Sequence, residues 1–282
     1  MDYSMDDYID SFNTIRDLLR YAITSFKDAE LHFGHGTDTP LDEAVYLICY
    51  QLGLPSEQFD HFLDAKLTKK EVRELHDLID LRVSSRKPAA YLTNEAWLYG
   101  FKFFVDERVI VPRSHIAELL VDGLIPWISH PQNIHNILDL CCGSACLAII
   151  AAENFPNAVI DATDISQTAL DVAKINIENY HLSDKIALYH GDLFGPLPKE
   201  KKYDIIIANP PYVSASAMKN LPPEYLAEPK CALNSGTKGL DHITNILQSV
   251  GKYLSSKGLL FMEIGSSAEL MEATFNKHPF TW

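Results

Sequence analysis

The chain has 282 residues, a length that predicts about two domains. Hydrophobic residues make up 47% of it and charged residues 22%, which excludes a disordered tail, a collagen-like fibre and a disulfide-stapled miniprotein. Acidic residues outnumber basic ones by 38 to 24, and the net charge of -14 disfavours stable binding to DNA or RNA phosphates while suiting a basic protein partner.

The sequence also indicates in which cellular compartment the protein is expected. The first residues carry neither a basic nor an apolar segment, unlike a secretory signal, and no stretch approaches the roughly 20 apolar residues of a membrane span. Five cysteines, three of them within residues 141–146, suit a reduced chain better than a disulfide framework. We therefore expect a cytoplasmic protein without a membrane partner, and the sequence alone does not indicate an oligomeric state.

Residues 1–90 are expected to form a small helical domain. Apolar residues recur at three- and four-residue steps from Tyr8 to Phe26, which predicts a first helix. Thr39-Pro40 gives the start signal of a second helix that ends at Gly53. Thr68 to Glu71 forms the capping box of a third.

Residues 91–113 are expected to link two domains. From Tyr91 to Val111 the sequence is aromatic and β-branched, with Gly100 between two extended runs. This pattern predicts a β-hairpin.

Residues 114–282 alternate between strand and helix patterns. Helices are expected over Ser166–Tyr180 and roughly Asp241–Leu254. Several of the strands are short apolar runs, as in a parallel sheet covered on both faces, so the predicted class is α/β. The predicted strands are Ile137–Leu140, Val159–Thr163, Ile186–His190, Tyr203–Ala208 and Leu259–Ile264.

The first predicted strand runs into a turn of small residues, Cys141 to Ala145. Such a turn lets backbone approach a ligand at the carboxyl end of a strand, although a tight turn without a ligand is the simpler alternative. The cysteines here are expected to be small buried side chains rather than metal ligands, because no second Cys/His cluster completes a site.

Acidic residues follow the next two strands. A carboxylate at Asp164 can accept both hydroxyls of a ribose, or it can simply help to cap the helix that begins at Ser166. Asp192 can accept from an adenine amino group, with Phe194 packed near the ligand, or it can belong to an ordinary turn.

Asn209-Pro210-Pro211-Tyr212 leaves the fourth predicted strand and is the strongest signal. The two prolines stiffen the backbone and remove two donors. The Asn209 amide oxygen and the Pro210 carbonyl can then accept both N–H bonds of a planar NH₂ group, while the Tyr212 ring stacks on its plane. The motif predicts chemistry at an amide or aromatic amine nitrogen.

Together these motifs resemble class I S-adenosylmethionine-dependent methyltransferases, and more narrowly the HemK/PrmB family of protein glutamine methyltransferases. The resemblance covers nearly the whole chain and implies a Rossmann-like domain, S-adenosylmethionine as cofactor and S-adenosylhomocysteine as product. It implies catalytic roles for Asn209, Pro210 and Tyr212, substrate binding that includes Pro211, and a cofactor cover at Pro112 and Arg113. The implied cofactor-binding residues are Asp139, Cys141, Gly143, Ala145, Asp164, Ile165, Asp192, Leu193 and Asn209.

Two branches divide that family, one acting on the Gly-Gly-Gln glutamine of release factors and one on the third protein of the large ribosomal subunit. The segments 91–97 and 111–114 of this chain are similar to the ribosomal-protein branch. The implied activity is therefore glutamine amide methylation of a ribosomal protein, EC class 2.1.1, with release factors as the alternative substrate.

The chain departs from the family pattern in three places. Ala145 stands where glycine is usual, so a β-carbon is expected beside the cofactor at a position that favours positive φ, and Cys142 often corresponds to threonine. The sequence after Ile264 does not show the two antiparallel strands that normally complete the sheet.

Two activities of other classes stay open at this point. An adenine methyltransferase for DNA or RNA would use the same Asn-Pro-Pro-Tyr pocket, but the chain has no basic stripe to hold phosphates. A binding module that kept the fold without catalysis is the other alternative, which the intact motif at 209–212 disfavours.

Overall fold

A computed structural model describes residues 12–276 and 280–282. The chain divides into two compact units. One, the helical unit, comprises residues up to Glu95 together with Pro222–Ala227. The other, the catalytic unit, comprises Ala96–Leu221 and Glu228–Trp282.

Four α-helices of the helical unit lie in the described residues: α1 (Ile15–Asp28), α2 (Pro40–Leu52), α3 (Lys69–Ser85) and α4 (Ala89–Thr93). Thr39 caps α2 and Gly53 ends it in the left-handed conformation, and the capping box at Thr68 starts α3, as predicted.

The first predicted helix is confirmed only in part. Tyr8 and Ile9 lie outside the described residues, and Phe12 precedes the helix, which starts at Ile15 because Thr14 and Asp17 form a capping box. Leu18, Ala22 and Phe26 bury the inward face of α1 against α2 and α3.

The segment 222–227 lies with the helices rather than with the catalytic unit, where the sequence analysis had placed it. It forms a 3₁₀ helix, Pro223–Ala227, whose Glu224 is fully buried. Glu224 Oε1 accepts the His32 backbone N–H and lies 2.8 Å from Arg86 Nη2, so the segment is held by charge as well as packing.

The predicted hairpin is present but shorter than expected. Its strands are β1 (Glu95–Leu98) and β2 (Phe101–Phe104), joined by Tyr99-Gly100. Tyr91 to Thr93 are helical, not extended, and belong to α4. This helix follows Pro88, a residue with the fixed φ that suits a helix start.

The catalytic unit is built on a five-stranded parallel sheet with strand order β5-β4-β3-β6-β7. Its strands are β3 (Asn136–Leu140), β4 (Val159–Asp164), β5 (Ile186–His190), β6 (Tyr203–Ala208) and β7 (Leu254–Met262). The described helices around it are α5 (His115–Val121), α6 (Cys146–Asn154), α7 (Gln167–Asn179), α8 (Asp241–Val250) and α9 (Ala268–Thr274).

The predicted α/β class is confirmed, and the strands match closely except at β7. Leu254 was predicted to be helical, but it pairs with Tyr203 at the start of β7, and α8 ends at Val250. A register shift between Tyr203 and Ile205 lets β7 begin early.

The strand order reverses between β3 and β6, where α/β sheets bind ligands beyond the carboxyl ends of their strands. In the described part of the chain, no helix is long and apolar enough to cross a membrane.

Candidate active site

A cavity that is partly open to solvent lies at the carboxyl ends of β3, β4, β5 and β6. Ligands of α/β proteins bind at this edge of the sheet. Predicted cofactor residues that line it are Cys141, Gly143, Asp164, Ile165, Asp192, Leu193 and Asn209. Lining residues that the sequence analysis did not select include Arg108, Val109, Ile110, Thr163, Ser166, Pro229, Cys231 and His242.

The turn after β3 owes its shape to alternate residues with positive φ. Cys141 has φ 59°, Gly143 has φ 53° and Ala145 has φ 61°. The turn is fixed from β4, since the Cys142 N–H donates to the Thr163 carbonyl at 3.0 Å. Cys141 and Gly143 consequently face the cavity.

Ala145 has the positive φ that the sequence analysis expected to be unfavourable, but it does not line the cavity and is fully buried. Its β-carbon therefore costs conformational energy without narrowing the ligand space. In the left-handed conformation a residue with a β-carbon is about 1–2 kcal/mol less stable than glycine. Glycine keeps only part of this advantage, because it loses more conformational entropy when the chain folds.

We expect Ala145→Gly to raise the unfolding free energy of the catalytic unit by about 0.5–1 kcal/mol. Urea unfolding followed by tryptophan fluorescence measures this, because Trp97, Trp127 and Trp282 all lie in that unit. Ala148→Gly, inside α6, is the matched control and should lose about 1 kcal/mol. A loss of stability in both variants would contradict the strain at Ala145.

Asp164 ends β4 with both carboxylate oxygens held by backbone. Oδ2 accepts the Gly143 N–H and Oδ1 accepts the Ser166 N–H, each at 2.9 Å. Asp164 thus helps to cap the helix that begins at Ser166 and also lines the cavity. Burial raises the pKa of this carboxyl, against the opposing effect of the backbone hydrogen bonds. Each oxygen keeps a further lone pair for a hydroxyl donor.

Two buried oxygen atoms near the turn have no hydrogen-bond partner among the described residues, Asp139 Oδ1 and Thr163 Oγ1. Asp139 Oδ2 accepts the Ala148 N–H at 3.1 Å, and Thr163 lines the cavity. Asp139 itself does not line it. Unsatisfied buried polar atoms are costly, so Thr163 on the wall fits a ligand rich in hydroxyl, amino and carboxylate groups.

Burial raises the pKa of Asp139 well above its usual range, and the negative charge of Asp164 adds to the shift. The folded protein therefore keeps a proton that the unfolded chain releases above about pH 4, so this group lowers stability as pH rises.

We expect Asp139→Asn to remove that pH dependence. The difference in unfolding free energy between wild type and variant should change by up to about 1.4 kcal/mol per pH unit above pH 4, in the direction that favours the variant at higher pH. Urea unfolding between pH 5 and 8 tests this, with Asp171→Asn on the surface of α7 as control. Parallel pH curves for wild type and Asp139→Asn would contradict it.

Asp192 and Leu193 reach the cavity after β5, but Phe194 does not. Phe194 is buried in the core with its ring stacked on Tyr253, at a centroid distance of 4.6 Å. The positive φ of Leu193 turns the chain between these two environments.

The motif at 209–212 is divided between cavity and core. Asn209 and Pro211 line the cavity, and Pro210 and Tyr212 do not. The Tyr212 ring packs beside α8 and α9, where a β-carbon at Gly265 would lie 2.7 Å from its Cδ2. In the described residues, neither the Asn209 side chain nor the Pro210 carbonyl takes part in a hydrogen bond, so both are available to a ligand.

Pro112 and Arg113 lie away from the cavity wall, which Arg108 to Ile110 supply instead. Arg113 binds Glu228 through two bonds, with Nη2 2.7 Å from Oε2, and Glu228 also accepts the Val111 N–H. Glu228 is buried and Arg113 is partly exposed. Their ion pair joins the segment that carries the wall residues Arg108 to Ile110 to residue 228, just before Pro229 on the cavity wall.

His242 is a wall residue that the sequence analysis missed. The Ser235 hydroxyl accepts the His242 backbone N–H and lies 2.8 Å from Nδ1 of the ring. Ser235 is buried and has no other side-chain partner among the described residues, so its own proton is satisfied only by donation to Nδ1. With Nδ1 as the acceptor, the neutral His242 ring carries its proton on Nε2. His242 lines the cavity, so this N–H is a hydrogen-bond donor on a wall residue.

All five cysteines are free thiols. Within the described ranges, no group of histidine, cysteine, aspartate or glutamate side chains could hold a metal ion. Burial raises the pKa of Cys141, Cys142 and Cys146, and that of Cys146 to about 12, so these thiols are protonated packing residues.

A family model described as the methyltransferase small domain matches residues 118–278. A ribosomal protein uL3 glutamine methyltransferase of Burkholderia pseudomallei is 50% identical over 277 residues, which cover 96% of this chain and 90% of that protein. The protein of the same description from Neisseria gonorrhoeae is 53% identical over 269 residues, with 95% and 89% covered.

Among solved structures, the catalytic domain of hMettl16 in complex with a MAT2A 3'UTR hairpin is similar with a TM-score of 0.51. It is 16% identical, and the similarity covers 75% of this chain and 74% of that one. At this level of identity the likeness concerns the fold alone.

Proposed function

Because the chain belongs to the family of ribosomal protein uL3 glutamine methyltransferases, we propose that it methylates the side-chain amide nitrogen of a glutamine in ribosomal protein uL3. The methyl donor is S-adenosylmethionine, and the product is S-adenosylhomocysteine. The observation that carries the proposal is the pair of unbonded acceptors at Asn209 and Pro210, beside a cavity that Asp164 also lines.

The cavity wall suits the donor's nucleoside. Asp164, fixed by two backbone N–H groups, binds the ribose hydroxyls, and Asp192 accepts from the adenine amino group. The turn at Cys141 to Gly143 and the unpartnered Thr163 hydroxyl serve the amino-acid end. When bound, S-adenosylmethionine supplies a methyl group activated by a sulfonium.

The substrate amide needs alignment, because its nitrogen lone pair is delocalised into the carbonyl. Asn209 Oδ1 and the Pro210 carbonyl accept the two N–H bonds and hold the amide plane, and Tyr212 supports the motif from the core side. Fixed orientation of this kind contributes up to about 7–11 kcal/mol to intramolecular reactions. No general base is required before transfer, since the methylated nitrogen is acidic and loses its proton afterwards.

Charge supports a protein substrate over nucleic acid. The net charge of -14 attracts a basic ribosomal protein and repels phosphates. We assign target recognition to the helical unit and its neighbouring hairpin, and catalysis to residues 114–282. Because its substrate is a ribosomal protein, the proposal places the enzyme in the cytoplasm.

The test is transfer from methyl-labelled S-adenosylmethionine to unmethylated ribosomal protein uL3, with release factor and DNA as parallel substrates and the label located by mass spectrometry. One methyl group on one glutamine of uL3 is the expected result. Label on the release factor instead would keep the mechanism and change the substrate. Label on DNA, or no label with cofactor bound, would overturn the proposal.

A further inference from the structure

The hairpin β1–β2 exposes two large aromatic side chains outside the cavity. Trp97 is 51% exposed and Tyr99 is 47% exposed, and neither lines the cavity. Two exposed aromatic residues on one short hairpin are typical of a binding surface, where aromatic side chains anchor a partner.

The hairpin is firmly held, so its aromatic residues form a fixed platform. The Tyr180 hydroxyl accepts the Lys102 N–H at 2.9 Å and donates to the Lys102 carbonyl. The Asn176 side chain makes a matching pair of bonds to the backbone of Phe104. Both anchors come from the α7 region of the same unit. A preorganised surface loses little entropy when a partner binds.

Tyr99 occupies a position that is unfavourable for tyrosine. It is the first residue of a two-residue turn and has φ 49°, with Gly100 following at φ 83°. Turns with two positive φ values strongly prefer Asn-Gly or Asp-Gly, because a bulky side chain is strained there. Burial in a core does not account for the tyrosine, since nearly half of it is exposed. Strain retained at an exposed residue indicates a function.

Two carboxylates complete the surface. The Tyr99 hydroxyl donates to Glu118 Oε2 at 3.1 Å, and Asp122 follows one helical turn later. Partial desolvation, this hydrogen bond and the charges of Glu118 and Asp122 raise the pKa of the Tyr99 phenol, so both acids act on the same ring. Trp97, Tyr99, Glu118 and Asp122 are called the aromatic–acidic patch below.

The patch has the chemistry of a site for a cation. The Lys102 ammonium lies over the Trp97 ring, 5.9 Å from its centroid, so the ring makes a cation–π contact for which a partner's cation competes with Lys102. Arginine stacks on aromatic rings and pairs with carboxylates at once, whereas a phosphate group would be repelled by Glu118 and Asp122.

We propose that the aromatic–acidic patch docks an arginine- or lysine-bearing segment of the protein substrate, remote from the glutamine that is methylated. The inference rests on the proposed function, because it takes the occupant to be ribosomal protein uL3. Proteins that bind ribosomal RNA need basic side chains to neutralise its phosphates, which supplies the complementary charge.

The experiment measures binding of fluorescently labelled unmethylated uL3 by anisotropy, and KM by methyl transfer, for Trp97→Ala, Tyr99→Asn and the control Val159→Ala. Val159 is exposed at the start of β4 in the same unit and does not belong to the patch. We expect Trp97→Ala to raise Kd and KM about five- to tenfold and Tyr99→Asn about threefold, with kcat unchanged. Val159→Ala should leave Kd and KM unchanged.

Tyr99→Asn separates docking from stability. Asparagine suits the turn, so the variant should keep or raise Tm while it loses affinity. A short peptide that carries only the target glutamine should show the same KM with wild type and both patch variants. Unchanged Kd in both variants, or an equal loss with the short peptide, would overturn the inference. Failure of the proposed function would look different: wild type would transfer no methyl group to uL3, while the binding comparison would still decide on the patch.

Discussion

Replacement of Asn209 by alanine should lower kcat about 10²–10³-fold while changing the affinity for S-adenosylmethionine by less than about threefold. The Asn209 side chain makes no hydrogen bond within the described structure, so its removal costs the fold little. It directly follows β6 at the cavity wall, where its amide oxygen can orient the substrate nitrogen. Single-turnover transfer to uL3 and calorimetric titration of the cofactor measure the two quantities separately.

Asp164→Asn is the contrasting variant for the cofactor. The change keeps the shape of Asp164 but removes its charge, and it replaces one of the two oxygens that accept backbone N–H groups with an NH₂ donor. We therefore expect cofactor Kd to rise at least about tenfold, through weaker bonds to the ribose hydroxyls and the loss of one bond that holds the cavity wall. If Asn209→Ala abolished cofactor binding and left the transfer rate of the bound complex unchanged, the roles assigned to the two residues would be wrong.

The sequence predicted the location of this site because parallel strands place their carboxyl ends along one edge. Each candidate follows a short apolar strand, and the register pairs Leu140 with Thr163 and with Ala208. The residues one position after these three, Cys141, Asp164 and Asn209, must then meet at the cavity. Local sequence patterns are enough to predict a site residue when the end of a strand alone determines where that residue lies.

Side chains brought in by distant segments left no such pattern. His242 reaches the cavity wall through its pairing with Ser235, and Arg113 is turned to Glu228, 115 residues away. Phe194 was expected near the ligand, but a ring there is more stable when stacked on Tyr253 in the core. A single sequence does not reveal which distant side chain will satisfy a given charge or ring.

The sequence also does not reveal how the buried charges of the helical unit pair with one another. Arg82 is 1% exposed, and its Nε donates to Glu43 Oε1 at 2.6 Å. Its Nη2 donates to the His32 carbonyl, and its Nη1 lies 3.9 Å from Glu224 Oε1. One guanidinium thus connects α3, α2 and the segment 222–227. Burial raises the pKa of Glu43 even beside Arg82, so the carboxylate depends on this cation.

Arg82→Met should therefore lower the unfolding free energy of the helical unit by about 3–5 kcal/mol, since it leaves buried carboxyl groups without their countercharge. The pKa of Glu43 would rise further, so the folded variant keeps a proton that the unfolded chain releases, and the loss should grow as pH rises from 5 to 8. Native-state hydrogen exchange of amides in α1 to α3 measures the effect apart from the catalytic unit.

Arg16→Met is the matched control, because Arg16 pairs with Asp64 at 2.9 Å while 57% of its side chain is exposed. Solvent screens exposed pairs and leaves them little effect on stability, so this variant should stay close to wild type. Arg82→Met/Glu43→Gln should recover part of the stability lost in Arg82→Met, because it removes the ionisable group left behind. Equal small losses for Arg82→Met and Arg16→Met would show that packing alone holds the helices and the segment 222–227 together.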